Sequence, residues 1–469
     1  MTSSTTTLSA PGPRILVPLS EATAILSKWT AQLDAPNCPA ITTLDLSCRA
    51  WPLETLLVLE PALVRIAPTV TYLKLDDIIA SLETEDGFAT LGFFNRIFAP
   101  DKAPNLTRLD LSDNALGTRS LDVIPNLLEN APKLAELSLH NCGMSLEVAA
   151  QLSARLGGET KSGDDGEESA GGEGSSGGIA EQLQALYLGR NQMGPEGAAS
   201  FGKLLSQCTA LRKLSYAGSR ARSTGTRALM EGLLQMAKRC PDGLTQLVEL
   251  DLDDCSFGTG DDDEADALIP LCGLIRSSPK LTKLILKDGG LGPEGFDLLV
   301  DALVTGKCQI RYLDVGCLDL EEDGTAALAK YIEEHLVDTL EELHLETNLM
   351  EDAGLAKLLP VLAKCTKLTV LNLTENGLEE DGYRALAETK MPTLKKLIMK
   401  ENCEEDVEDE EVKDAIRKMY SVVLMADDDE DTGGADEEEE EGEEEKEGAS
   451  GREAAADDAL AGAIGSLQI

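Results

Sequence analysis

Aromatic residues and positive charge are both scarce in this chain. Aromatics are 3% of its 469 residues, so any large core must be mostly aliphatic. Histidine occurs three times, at His140, His335 and His344, without a His-Glu-x-x-His spacing, and no metal site is expected. Lys and Arg number 41 against 85 Asp and Glu, a formal net charge of −44. That sign is opposite to the footprint of a nucleic-acid binder. No apolar run approaches the roughly 18 residues of a membrane span. The 11 cysteines form no Cys-x-x-Cys pair, and the chain reads without a secretory leader. Reduced core thiols in a cytosolic protein are the expectation. Also lacking are a Gly-x-x-x-x-Gly-Lys-Ser/Thr loop, a Gly-x-Ser-x-Gly elbow and any local His/Cys signature of nucleophilic catalysis. No self-contained enzyme pocket and no cofactor of its own are expected.

What the chain has in abundance is a repeat. A Leu-x-Leu-like segment starts at Leu44, Leu73, Leu109, Leu137, Leu186, Leu214, Leu250, Leu284, Leu313, Leu343, Leu371 and Leu397. Several intervals lie at 28 or 29 residues, the period of the long leucine-rich repeat built of strand, turn and helix. One such unit cannot bury its apolar face alone, so neighbours stack. The fold class expected is α/β: a leucine-rich-repeat solenoid of about 12 repeats, a crescent like that of ribonuclease inhibitor. Parallel strands line its concave face and helices its convex face. Three residues after the second leucine come Asn114, Asn191, Asn348 and Asn376, with Cys142 and Cys255 in two other units. Asn can bond a turning backbone, and the slot reads as an Asn/Cys ladder. Ser120 to Leu128 then shows apolar residues three and four apart, a helix with one buried face.

Residues 1–13, rich in Ser and Thr, read as an unstructured N-terminus, and 14–40 as a cap containing a helix over Ile15 to Leu33. The repeat domain is expected over 41–425. The low-complexity Gly/Ser/acidic stretch 157–178 fills the one long gap and reads as a flexible insertion, either accidental or bordering a binding surface. Residues 426–469 read as a disordered acidic tail. From Glu401 to Glu447 there are 24 acids and 4 bases. Charge alone does not separate a solvating tail from one that attracts a basic partner.

The residue just before each ladder slot should point along the row of strand-to-helix loops. In three consecutive units it is Asp113, Asn141 and Arg190. Stacking would set an acid, an amide and a guanidinium about 5 Å apart. They read either as ordinary solvated residues or as a partner-contacting row. Asn141 favours the second, since Cys142 already fills the ladder slot of that unit.

The stretches Leu109 to Gly117 (Leu-Asp-Leu-Ser-Asp-Asn-Ala-Leu-Gly), Leu137-Ser-Leu-His-Asn-Cys-Gly-Met and Gly189-Arg190-Asn191 resemble successive repeats of the Ran GTPase-activating proteins. The likeness extends over about Ile41 to Met399 and includes an acidic tail. It implies a protein that binds the GTP-bound small GTPase Ran, with a Ran-binding protein as accessory partner, and stimulates hydrolysis in trans in support of nucleocytoplasmic transport. GTP and Mg²⁺ would belong to the GTPase. No arginine finger is implied. Asn141 would help set the glutamine of Ran that orients the attacking water, and Asp113 and Arg190 would contact the partner nearby. Two departures stand out. Leu82 occupies the place of a family arginine in the second repeat, with Arg96 the nearest downstream. The plant targeting segment and the animal C-terminal domain have no counterpart, and Trp51-Pro52-Leu53 reads as core. The expectation is a monomer in the cytoplasm, including its perinuclear part. The competing readings are a non-catalytic repeat scaffold or inhibitor, and an acidic histone-binding chaperone.

Overall fold

The computed structural model describes residues 6–99, 101–119, 132–158, 178–257, 267–403, 407 and 409–425. Fourteen three-residue strands form one sheet in chain order, every neighbouring pair parallel. They are β1 (Thr7–Ser9), β2 (Thr43–Asp45), β3 (Tyr72–Lys74), β4 (Arg108–Asp110), β5 (Glu136–Ser138), β6 (Ala185–Tyr187) and β7 (Lys213–Ser215). Then follow β8 (Glu249–Asp251), β9 (Lys283–Ile285), β10 (Tyr312–Asp314), β11 (Glu342–His344), β12 (Val370–Asn372), β13 (Lys396–Ile398) and β14 (Val422–Leu424). The central residue of each strand from β2 to β13 is the first leucine of a repeat. Leu109 pairs in register with Leu137, and Leu137 with Leu186. These leucines, and the apolar residue two positions on, are almost wholly buried. Strand alternation sends the intervening residues to the open sheet face, and the helices pack behind. The chain is a leucine-rich-repeat solenoid of the α/β class.

Two strands flank the twelve read from the sequence. β1 lies inside the stretch expected to be unstructured, which corrects that reading for residues 7–9. Its stretch is polar enough to pass for a tail, but Leu8 is buried, the backbone pairs with β2, and the indole of Trp29 donates to the Ser9 carbonyl at 3.3 Å. The cap helix is present as Leu19–Leu33. Arg49 takes the ladder slot of the first repeat and is buried there. It forms an ion pair with Glu21 at 2.8 Å and lies over Trp51 at 5.8 Å. Trp51 is fully buried, as expected of a core residue, and donates to the Leu46 carbonyl at 2.8 Å. The helix expected near Ser120 to Leu128, most of the insertion and the acidic tail lie outside the described residues.

On the helical side, the helices Gly194–Leu205 and Arg222–Arg239 meet through Gly202 and Gly232. A Cβ on Gly232 would come 2.0 Å from the Gly202 carbonyl oxygen, and backbone cannot swing aside as a side chain can. Gly232→Ala is therefore expected to lower unfolding free energy by about 2 kcal/mol despite the better helix propensity of alanine. Urea denaturation checks it, and unchanged stability would mean that these helices can separate without loss.

Candidate partner-binding rim

The site is built on the ladder. Asn114 and Asn191 are buried where each strand gives way to its loop. The Asn191 amide donates to the Leu139 and Leu188 carbonyls at 2.8 and 2.7 Å, while its oxygen accepts from the Cys142 and Met144 amides at 3.1 and 3.0 Å. Asn114 does the same with the Leu75 and Leu111 carbonyls and the Ile78 and Ile79 amides. Each ladder asparagine thus joins its own loop to that of the preceding unit. Cys142, also buried, donates its thiol to the Leu111 carbonyl at 3.1 Å, and burial pushes its pKa far above the ordinary thiol value.

With the ladder residue turned inward, the residue before it is forced outward in a left-handed conformation. Asp113, Asn141 and Arg190 have φ of 58°, 51° and 55°. The same slot is left-handed at Cys48, Asp77, Gly218, Asp254, Asp288, Cys317, Thr347, Glu375 and Glu401. Asp and Asn tolerate this conformation better than most residues, so the backbone itself gives one reason for an amide at 141. Both readings of Asn141, an ordinary loop residue and a partner contact, are therefore compatible with its backbone.

The three side chains lie in adjacent units, as stacking requires. The Asn141 amide donates to Asp113 Oδ1 at 2.9 Å, and no hydrogen bond to its own oxygen is found among the described residues. Backbone bonds continue the row, from the Asp113 amide to the His140 carbonyl at 2.9 Å, Asn141 to Gly189 at 2.8 Å and Arg190 to Ala217 at 2.7 Å. Arg190 is exposed and has no ion-pair or hydrogen-bond partner for its guanidinium among the described residues.

Two further residues join the rim that sequence reasoning did not place there. His140 is half-buried on the sheet side. Burial lowers its pKa, and the opposed charges of Asp113 and Arg190 both act on it. Gly189 makes room for its ring, since a Cβ at 189 would lie 2.9 Å from Nδ1. Its position one residue before Asn141 was the available signal. The other is Arg14, which crosses from the N-terminal segment to grip Asp77 with two nitrogens, Nε at 2.6 Å and Nη2 at 3.0 Å. Arg14 also feels the charge of Asp113. Arg96 does not reach the rim. It pairs with Glu60 at 2.5 Å on the helical side, and Leu82 packs against the core. No sequence signal could have connected residues 14 and 77.

The open sheet face carries a second polar cluster, around β10. Asp314 is 8% exposed, and its pKa is raised from 3.8 to about 7, first by burial and then by Glu346. The Gly316 amide, Lys287 and Asp253 act more weakly, the first two lowering it and the last raising it. Lys287 is itself bound to Glu346 at 3.1 Å, and the nearby His344 is held below its ordinary pKa by burial. A carboxyl whose folded pKa is raised contributes stability in full below the unfolded pKa, and loses it as pH rises through about 7. Asp314→Asn is expected to be more stable than wild type at pH 8 by on the order of 3 kcal/mol, the difference vanishing near pH 4. Urea titrations at several pH values check this. A difference independent of pH would place the titration elsewhere.

The fold and the rim together define a leucine-rich-repeat protein with a long loop edge and an open parallel sheet. A family model described as "Leucine Rich repeat" matches residues 102–124, 182–202 and 364–387. The chain is 28% identical to the ribonuclease inhibitor of Sus scrofa over 315 residues, 64% of this chain and 65% of that one. It is also 28% identical to the ribonuclease inhibitor of Mus musculus over 218 residues, 46% and 44% of the two chains. It thus spans less than two thirds of the length of either relative. Among solved structures, an internalin of Listeria monocytogenes superposes with a TM-score of 0.40 at 15% identity, covering 76% of this chain and 80% of the other.

Proposed function

We propose that the protein is a GTPase activator acting in trans on GTP-bound Ran through the Asp113, Asn141, Arg190 rim. The observation that carries this reading is the exposed Asn141 side chain, its amide nitrogen anchored to Asp113 at 2.9 Å and its oxygen without a hydrogen bond among the described residues. An amide held in place can accept from and orient a neighbouring amide or water without adding charge. In a site closed by the partner, such positioning lowers the barrier through orientation and preorganised electrostatics. The partner would supply GTP, Mg²⁺ and the catalytic glutamine, so the activator needs neither a cofactor nor an active site of its own. Asp113 fixes Asn141, Arg190 contacts the partner, and the site of action is the cytoplasm. The resemblance of the loop sequences to Ran activators supports the same assignment.

Similarity to ribonuclease inhibitors favours a second reading, a repeat protein that binds a protein partner without changing its chemistry. Single-turnover GTP hydrolysis by Ran, with another small GTPase as control, separates the two. Stimulation of Ran alone supports the activator. Binding without stimulation leaves the non-catalytic binder, and no binding removes Ran as partner.

A further inference from the structure

Next to Arg190 along the rim, the following unit presents Arg220 and Arg222, and all three arginines are exposed. Gly218 connects them. A Cβ at 218 would lie 3.6 Å from Arg190 Cγ, and the loop continues from Gly218 through the buried Ser219 to Arg220. None of the three guanidinium groups is paired with a carboxylate among the described residues. Arg212, also exposed, has no such partner among the described residues either, but other arginines do. Arg65, Arg96, Arg108, Arg276 and Arg311 are all engaged by acids within 3.0 Å.

The backbone makes the choice of arginine costly. Arg220 and Arg222 have φ of 55° and 52°, as Arg190 does. The loop demands this conformation elsewhere too, but with different residues. Gly290 and Gly292 fill the two equivalent slots beyond Asp288, and Asp319 and Glu321 those beyond Cys317. A left-handed arginine costs roughly 1–2 kcal/mol relative to glycine. Arg222 also opens the helix Arg222–Arg239, whose first turn contains no acid, whereas the helices beginning at Gly194, Gly292, Glu321 and Glu351 each carry one or more there. A cation at a helix N-terminus adds to the positive end of the dipole instead of offsetting it. Strain, the absence of a carboxylate partner among the described residues and an uncompensated helix start therefore fall on the same loop, beside the rim and next to the unit that carries Asp254. Neither the backbone nor the helix start favours arginine here, whereas an anion docking from outside would.

We propose that Arg190, Arg220 and Arg222 form a cationic docking strip that receives surface carboxylates of the protein partner held on the rim. The strip rests on the reading of that rim as a GTPase-binding surface, and it would speed the partner's arrival there without touching the groups around Asn141. Guanidinium groups suit the task because they hold carboxylates through paired hydrogen bonds.

The test is the full-length double variant Arg220→Gly/Arg222→Gly. Glycine suits both backbone positions, so this variant is expected to melt at or above the wild-type temperature, which separates a docking effect from misfolding. With GTP-loaded Ran, its association is expected to be about tenfold slower than wild type, while the hydrolysis rate at saturation is unchanged. Equal association rates would overturn the strip and leave the activator reading standing. If wild type fails to bind Ran, a labelled twelve-residue Asp/Glu peptide at physiological salt is the probe. Binding by wild type that is lost in the double variant supports the strip and removes Ran, and no binding by wild type overturns both.

Discussion

Asn141→Ala is expected to bind GTP-loaded Ran with nearly wild-type affinity yet lose most of its stimulation, about 100-fold in the saturated single-turnover rate. Loss of one preorganised group aimed at a transition state has effects of this size. The separation of binding from rate follows from the position of Asn141. Its side chain is exposed, its one hydrogen bond among the described residues is to Asp113, and the ladder below it is made by other residues. Truncation at 141 therefore leaves the stack intact. Asn141→Asp is the informative companion, since it keeps the shape but sets a second carboxylate against Asp113. If the saturated rate of Asn141→Ala equals that of wild type, the amide has no part in the reaction and the rim is a recognition surface only.

Asn191→Ala is expected to reduce unfolding free energy by about 3 kcal/mol and to broaden the urea transition as stacked units lose their coupling. Buried donors and acceptors left without partners cost about 1–3 kcal/mol each, with partial relief as the loop relaxes. Here the loss strands the Cys142 and Met144 amides and the Leu139 carbonyl, while the Leu188 carbonyl keeps the Ser219 hydroxyl as a donor at 3.2 Å. In a solenoid, stability is approximately a sum of unit and nearest-neighbour terms. Weakening one junction lets the two sides unfold separately, which coincident circular dichroism and fluorescence transitions would rule out. Because Asn191 immediately follows Arg190, the same variant should also impair the rim. Asn348→Ala, whose amide bridges the Val315 and Leu345 carbonyls farther along the chain, should give similar destabilisation with the rim spared.

Much of the architecture was written in the sequence because a repeat declares itself through spacing. The leucines at 44, 73, 109 and their successors mark β2 to β13, and the asparagines three residues after the second leucine are the buried ladder. Both follow from local rules, since strand alternation fixes which residues face inward and a turning backbone needs an amide at a constant offset. For the same reason Asp113, Asn141 and Arg190 could be placed side by side from their slots alone, and only the outward turn and the register were needed to align them. β1 was not legible. Its single buried leucine carries no period, and what orders it is β2 on one side and Trp29 from the cap on the other.

Long-range pairings were decided by tertiary structure. Arg14 reaches Asp77 across 63 residues because the N-terminal segment folds along the rim, while Arg96, the nearest arginine downstream of Leu82, is turned by its helix toward Glu60. The left-handed backbone of the loop slot and, among the described residues, the absence of partners for the Asn141 oxygen and for the Arg190, Arg220 and Arg222 guanidinium groups likewise emerge only once neighbouring units are stacked. Sequence periodicity sets which residues share a row, because it repeats a local geometry. Which of them remain unbonded depends on every other side chain within reach, and that is a property of the packed molecule.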